Sequence, residues 1–179
     1  MPILTESENI QGVYIVRLDA YQDVRGQFTE IFRKEWFPQQ EWSMVQSNRS
    51  ASAANVLRGL HYHHNQVDYW HLVDGRIRAG LVDLRPSSPT SGASQTIDIF
   101  QDDGLGLFIP TGVAHGFLSL AQSTLIYIVD RYYDGSDEYG VAWNDPDLKL
   151  EWGNKNPILS GRDINNPLLS AIPPEQLPK

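Results

Sequence analysis

Ile77-Arg78-Ala79-Gly80-Leu81-Val82-Asp83-Leu84, the turn Pro86-Ser87-Ser88-Pro89 and then Thr96-Ile97-Asp98-Ile99-Phe100 decide the fold class. Two short runs rich in β-branched and apolar residues flank a proline–serine turn, and Thr96 to Ile99 alternates polar with apolar, as a half-buried strand does. The same pattern continues on both sides. Val13 to Arg17, Val56 to Tyr62, Tyr69 to Leu72, Gly106 to Ile109, Gly116 to Leu120 and Thr124 to Arg131 are further runs of this kind. Turn signals at Asp74-Gly75, Asp103-Gly104 and Pro110-Thr111-Gly112 separate them. Closely spaced strands with little helical periodicity predict an all-β sandwich or barrel. One short helix is expected around Lys34 to Gln40, and the Pro-, Asn- and Ser-rich tail from Asn154 is expected to run irregularly over the surface.

The chain has 179 residues, 41% hydrophobic and 20% charged, which fits one domain over 1–179 with a substantial core. Fourteen basic against twenty-two acidic residues give a net charge of −8, which would repel a nucleic-acid backbone. An anionic substrate therefore needs a locally basic pocket. With no cysteine, thiolate chemistry, disulfides and zinc–thiolate sites are excluded, which fits a cytoplasmic protein. The segment Met1 to Glu8 lacks the basic and apolar regions of a signal peptide, and no apolar run approaches the roughly 18 residues of a membrane helix.

Four of the five histidines lie in two blocks, Arg58-Gly59-Leu60-His61-Tyr62-His63-His64 and Pro110-Thr111-Gly112-Val113-Ala114-His115-Gly116-Phe117. Imidazole both moves protons near neutral pH and ligates metals. His61 and His63, two apart on a strand, share a face. His61, His63, Asp68 and Gly75, with His115 following Gly104 and Pro110-x-Gly112, have the spacing of the two metal-binding motifs of cupins, with aspartate in place of glutamate.

A second set of motifs resembles the dTDP-4-dehydrorhamnose 3,5-epimerases, a family of the cupin superfamily. These are Asp23-Val24-Arg25-Gly26-Gln27-Phe28-Thr29-Glu30, Gln46-Ser47-Asn48-Arg49-Ser50, Val56 to Tyr62, Val82-Asp83-Leu84-Arg85 with Ser88-Pro89-Thr90, and Ile109 to Phe117. Tyr132-Tyr133, Trp143 to Leu148 and Leu159-Ser160-Gly161-Arg162-Asp163 continue the match in family order. The resemblance implies a cupin-type jelly roll, or double-stranded β-helix, with short flanking helices, assembled as a homodimer without a cofactor. It implies a dTDP-sugar as partner; the charge and the lack of a long apolar run already lead to the expectation of neither nucleic acid nor membrane.

The chemistry so implied removes a proton beside the C4 ketone of a 4-keto-6-deoxy sugar and returns one from the opposite face. That needs a base, an acid and a group to stabilise the enolate. By resemblance, His61 is the base, Asp163 orients it, and Tyr133 is the opposite-face acid. Arg25 and Arg58 match residues that bind diphosphate and sugar; Phe28, Glu30, Gln46 and Asn48 match positions around nucleotide and sugar; His115 matches a histidine beneath the pocket. The chain departs from the family pattern at three points. It has Asp68 where a lysine usually faces the ketone oxygen, Ala79 where an aspartate is usual, and His63 where glutamine is usual. A carboxylate beside a developing enolate has the wrong sign, so altered scope is expected: epimerisation at a single carbon, or a different ketosugar.

Two rival functions follow from the same residues. One is a metal-dependent cupin enzyme using His61, His63, Asp68 and His115; the other is a sugar-nucleotide binding protein without catalysis. Structural readings also stand beside the functional ones. Ser160-x-x-Asp163 is also a capping spacing, and tyrosines such as Tyr133 are common in β cores. One of His63 and His64 is expected to be solvated on a loop, His71 to be structural, and Trp143 to Pro146 architectural. Tyr69 and Trp70 are expected to pack, and Arg85 to form a surface pair worth under about 1 kcal/mol.

Overall fold

The computed structural model describes residues 1–179 and contains thirteen strands and one short α-helix. In chain order the strands are β1 (Ile3–Glu6), β2 (Tyr14–Arg17), β3 (Ala20–Asp23), β4 (Gly26–Thr29), β5 (Gln46–Ser52), β6 (Leu57–Tyr62) and β7 (Asp68–Asp74). They continue with β8 (Arg76–Asp83), β9 (Ser94–Phe100), β10 (Leu105–Ile109), β11 (Val113–Ser119), β12 (Ser123–Val129) and β13 (Tyr139–Gly140); α1 spans Gly161–Ile164. One sheet has the order β1-β2-β10-β7-β12-β5 and the other β13-β6-β11-β8-β9. All pairings between these strands are antiparallel, and the two sheets form a jelly roll. No helix is long and apolar enough to cross a membrane.

Strand alternation sorts the side chains into three apolar layers. Ile77, Ala79 and Leu81 of β8 meet Trp70 and Leu72 of β7, Leu107 and Ile109 of β10, and Leu125 of β12 between the sheets. The opposite residues of the second sheet, Leu60, Tyr62, Val82, Ala114 and Leu118, are covered by Val141, Leu148, Trp152 and Ile172. The outer face of the first sheet, with Val16, Tyr69, Phe108 and Ile128, is covered by Phe37 and Trp42. Phe37 stacks on Phe108 at 4.7 Å and lies 5.4 Å from Tyr69. The tail from Asn154 is therefore not merely superficial: Ile158 bridges to Val56, and Ile172 is buried on the second sheet.

The helix expected over Lys34 to Gln40 is one 3₁₀ turn, Lys34–Trp36. Phe37 and Trp42 are drawn into the outer layer without a helical repeat, and Pro38 blocks continuation. A second correction concerns Arg85. Its partner Asp83 is fully buried and accepts from Arg85 Nε and Nη2, both at 2.8 Å, from Ser88 Oγ at 2.6 Å and from Thr90 Oγ1 at 2.7 Å. Arg85 also donates to the Gln11 carbonyl at 2.7 Å. This network ties the β8–β9 loop to the N-terminal segment and is no exposed surface pair.

The hairpin β3–β4 stands apart. It pairs only with itself, and Tyr21, Val24 and Phe28 on it are exposed. An isolated two-stranded hairpin is marginal in water.

Candidate active site

Toward one end of the space between the sheets, the inward-facing side chains change from apolar to polar. β5 contributes Gln46 and Asn48, β6 contributes Arg58 and His61, and His63, Asp68 and His115 complete the wall of a cavity of about 590 Å³. Tyr133, Glu138, Arg162 and the buried Asp163 also line it.

Arg58 and His61 are three residues apart, so a regular strand would send them to opposite faces. The pairing of β6 with β11 shifts register between His115↔His61 and Phe117↔Arg58, an irregularity that turns both side chains inward. Gly59 sits in this bulge at φ 122, and a Cβ there would lie 2.7 Å from the Gly116 Cα. Only glycine fits that approach.

His61 Nε2 lies 2.7 Å from Asp163 Oδ1. An ionised carboxylate only accepts, so Nε2 carries the proton and donates it to Asp163, while Nδ1 keeps the lone pair. Glu138 Oε1 is 4.0 Å from Nδ1 and is itself paired with Arg162 Nη1 at 2.8 Å. Asp163 is delivered by α1. The Ser160 hydroxyl caps that helix by accepting from the Asp163 N–H at 3.1 Å, so the capping and functional readings of this segment both hold. Burial pushes the Asp163 carboxyl up. Its hydrogen bond to His61, the His61 charge, the Ser160 hydroxyl and the Gly59 N–H outweigh burial and hold it below the ordinary carboxylate range. The positioning group is thus ionised wherever the protein is folded near neutrality.

Arg58 donates through Nε to Ser52 Oγ at 3.0 Å. Gln46 holds Asn48 Oδ1 at 2.8 Å with its amide and accepts the Tyr133 N–H at 3.1 Å, which places the Tyr133 segment at the rim. Tyr133 is 70% exposed. His115 lies on the floor, 5.5 Å from Trp70 edge to face; burial pulls its imidazole down to about 4, against the opposing pull of Asp68. Burial also raises the Tyr127 phenol, helped by the Asp68 and Glu138 charges, so Tyr127 stays protonated.

The structure therefore brings together His61, Tyr133, Asp163, Gln46, Asn48, Arg58 and His115. Arg25, Phe28 and Glu30 are not in this cavity. They lie on or beside the β3–β4 hairpin, where Arg25 pairs with Asp23 and Glu30 with Arg33. Of the four residues with cupin metal spacing, His61 turns to Asp163, while His63, Asp68 and His115 gather with their ligand atoms within 4.8 Å of one another. Of His63 and His64, the second is the loop residue, partly exposed on the bend after β6. His63 is buried, and His64 stacks on Tyr139 at 4.5 Å and bonds the Gln176 carbonyl. His71 bonds the Leu105 carbonyl, as its structural reading has it. Tyr69 packs in the outer layer, whereas Trp70 lines the cavity. Glu138 and Tyr127 went unnoticed in the sequence. Glu138 lies in no recognisable motif, and Tyr127 faces inward only by its register opposite Asn48.

Comparison with known proteins bears on what this cavity is for. Residues 7–171 match the family model described as dTDP-4-dehydrorhamnose 3,5-epimerase. The dTDP-4-dehydrorhamnose 3,5-epimerase of Sinorhizobium fredii is 34% identical over 176 residues, covering 94% of this chain and 90% of the relative. The crystal structure of dTDP-6-deoxy-D-glucose-3,5-epimerase from Legionella pneumophila, in complex with dTDP-4-keto-L-rhamnose, superposes with a TM-score of 0.93 at 30% identity. It covers 100% of this chain and 98% of its own. A 3′-monoepimerase from Streptomyces bikiniensis in complex with dTDP-quinovose superposes with a TM-score of 0.86 at 31% identity, covering 93% and 88%. Fold, cavity and sequence lead to one assignment: this chain is a cupin-type jelly roll that belongs to the dTDP-4-dehydrorhamnose 3,5-epimerase family of isomerases.

Proposed function

We propose that this protein epimerises a dTDP-linked 4-keto-6-deoxy sugar by proton transfer at a carbon next to the ketone. The observation that carries the proposal is the His61–Asp163 pair at 2.7 Å, which leaves an imidazole lone pair on Nδ1 inside a cavity large enough for a hexose. His61 removes the proton, and Asp163 fixes its tautomer and offsets the charge that forms on it. Tyr133 returns a proton from the other side of the sugar ring. Arg58, Gln46 and Asn48 supply polar contacts to the sugar and diphosphate, with the guanidinium suited to phosphate oxygens. The direct test is His61→Asn. Deuterium exchange beside the ketone is expected to fall at least 100-fold, and near wild-type exchange would remove His61 as the base.

The working unit on this reading is a homodimer. Arg25, Phe28 and Glu30 stand outside their own cavity on an uncovered hairpin, while the cavity has Arg58 and Arg162 as its cations, the latter committed to Glu138. A two-fold dimer in which each hairpin lies over the partner's cavity covers the exposed apolar residues and adds a guanidinium for the diphosphate. Arg25→Ala and His61→Asn are each expected to be inactive alone. Co-expressed, they recover about a quarter of wild-type turnover, since half of the dimers are mixed and each mixed dimer holds one complete site. Absence of recovery would place Arg25 in its own protomer's chemistry or outside the reaction.

A further inference from the structure

The cluster of His63, Asp68 and His115 is not used by the proton-transfer scheme, and its hydrogen bonds leave His115 Nε2 without a donor and Asp68 without a cationic partner. His63 Nδ1 donates to the Asp137 carbonyl at 2.7 Å, and His115 Nδ1 donates to the Val113 carbonyl at 2.9 Å. Backbone carbonyls only accept, so both imidazoles carry their proton on Nδ1 and present a bare Nε2. Between them lies the Asp68 carboxylate, also an acceptor, with Oδ2 3.8 Å from His115 Nε2. Three buried acceptor atoms thus face one another within 4.8 Å. The nearby donors are the Gln66 amide, which reaches Asp68 Oδ1 at 2.9 Å and His63 Nε2 at 3.3 Å, and Trp70 Nε1, which reaches Asp68 Oδ2 at 3.0 Å. No lysine or arginine pairs with Asp68, and a buried carboxylate without a counter-charge is costly.

We infer that His63 Nε2, His115 Nε2 and one Asp68 oxygen form a site for a single divalent transition-metal ion on the floor of the cavity. Two imidazoles and one carboxylate suit iron, manganese, nickel, cobalt or zinc. Ligands about 2.1 Å from a tetrahedral ion stand roughly 3.4 Å apart; the Asp68–His115 pair is at 3.8 Å and no pair exceeds 4.8 Å, so side-chain rotations that close the triad by about an ångström or less per ligand suffice. The Nδ1–H bonds to backbone carbonyls are the outer contacts that orient ligating histidines. Trp70 does the same for the carboxylate.

Three protein ligands leave a coordination position open, and the triad lines the same cavity as His61. When bound, the ion supplies positive charge to a cavity whose walls hold Asp68, Asp134, Glu138 and Asp163 against Arg58 and Arg162. This role, unlike the site itself, rests on the epimerase reading.

The test uses untagged, chelator-treated protein titrated with Co²⁺ and followed by calorimetry and visible absorption. One Co²⁺ per chain is expected, with the d–d bands of a low-coordinate site. The isosteric Asp68→Asn and the variant His115→Gln should each weaken binding at least 100-fold, while His71→Gln leaves it unchanged. No saturable binding, or binding that persists in both triad variants, overturns the site. Deuterium exchange of the ketosugar then tests the role. Faster exchange in the Co²⁺-loaded protein supports it, and equal exchange with and without the ion overturns it. Absence of exchange in both forms counts against the epimerase reading while leaving the site standing.

Discussion

Replacing Asp163 with asparagine is expected to slow α-proton exchange by about 10²- to 10⁴-fold while leaving dTDP-sugar affinity within a few-fold of wild type. The reason is the tautomer. Asp163 Oδ1 accepts from His61 Nε2 at 2.7 Å and so reserves the Nδ1 lone pair for the substrate. An asparagine amide can instead donate to Nε2, which moves the proton to Nδ1 and abolishes the base without changing the shape of the site. It also removes the negative charge that favours the imidazolium formed as the proton leaves. The split between turnover and binding separates this positioning role from a merely structural one. A loss confined to affinity, or exchange within threefold of wild type, would show that Asp163 does not act through His61.

The largest expected effect on stability comes from Asp83→Asn. Asp83 is fully buried and accepts four side-chain hydrogen bonds, two from Arg85 and one each from Ser88 and Thr90. Removing its charge leaves the Arg85 guanidinium half-buried without a counter-ion, at a cost of about 3–5 kcal/mol. For a chain of this size that lowers Tm by roughly 10 °C, read by thermal unfolding at neutral pH. Burial opposes ionisation of Asp83, but Arg85, Ser88, Thr90 and the Arg85 N–H together hold its carboxyl down at about 2. A group depressed in the folded state stabilises above its unfolded value and loses that contribution as pH falls through the folded value. Wild type should therefore lose roughly 2 kcal/mol between about pH 4 and pH 2 through this group. Asp83→Asn should lack that component. An unchanged midpoint at pH 7 would refute the account of this network.

The jelly roll was legible wherever a strand has one apolar face. β8 and β12 show it plainly, because Ile77, Ala79 and Leu81, or Leu125 with its neighbours, face the layer between the sheets. β5 was missed as a strand because its inward residues, Gln46, Asn48 and Ser50, line the cavity and carry no apolar alternation. The motif that matched there was therefore a site signal where a structural one was absent. The stretch Lys34 to Gln40 departs in the other direction: its Phe37 is apolar because it caps the outer face of a sheet together with Trp42, not because it belongs to a helix.

The site was legible in part. His61 and Asp163 are 102 residues apart, and nothing in local pattern joins them; the family resemblance did. The β6 bulge that turns both Arg58 and His61 inward depends on a close Gly59–Gly116 approach, which periodicity cannot reveal. Cupin metal spacing grouped His61 with His63, because residues two apart share a strand face. The structure separates them by what each binds, Asp163 for one and the Asp137 carbonyl for the other. The hairpin residues Arg25 and Phe28 were found by motif, and a single chain leaves them outside its own cavity.

The central claim is proton transfer beside a ketone by His61. Its most direct test is incubation of the purified protein with dTDP-4-keto-6-deoxyglucose in heavy water, with the sugar read by NMR. The account predicts deuterium at C3, C5 or both in wild type, and its near absence in His61→Asn. The labelled positions would also show which centres Asp68 and Ala79 leave open to inversion. No deuterium at either carbon in wild type, with the nucleotide sugar still bound, would contradict the account.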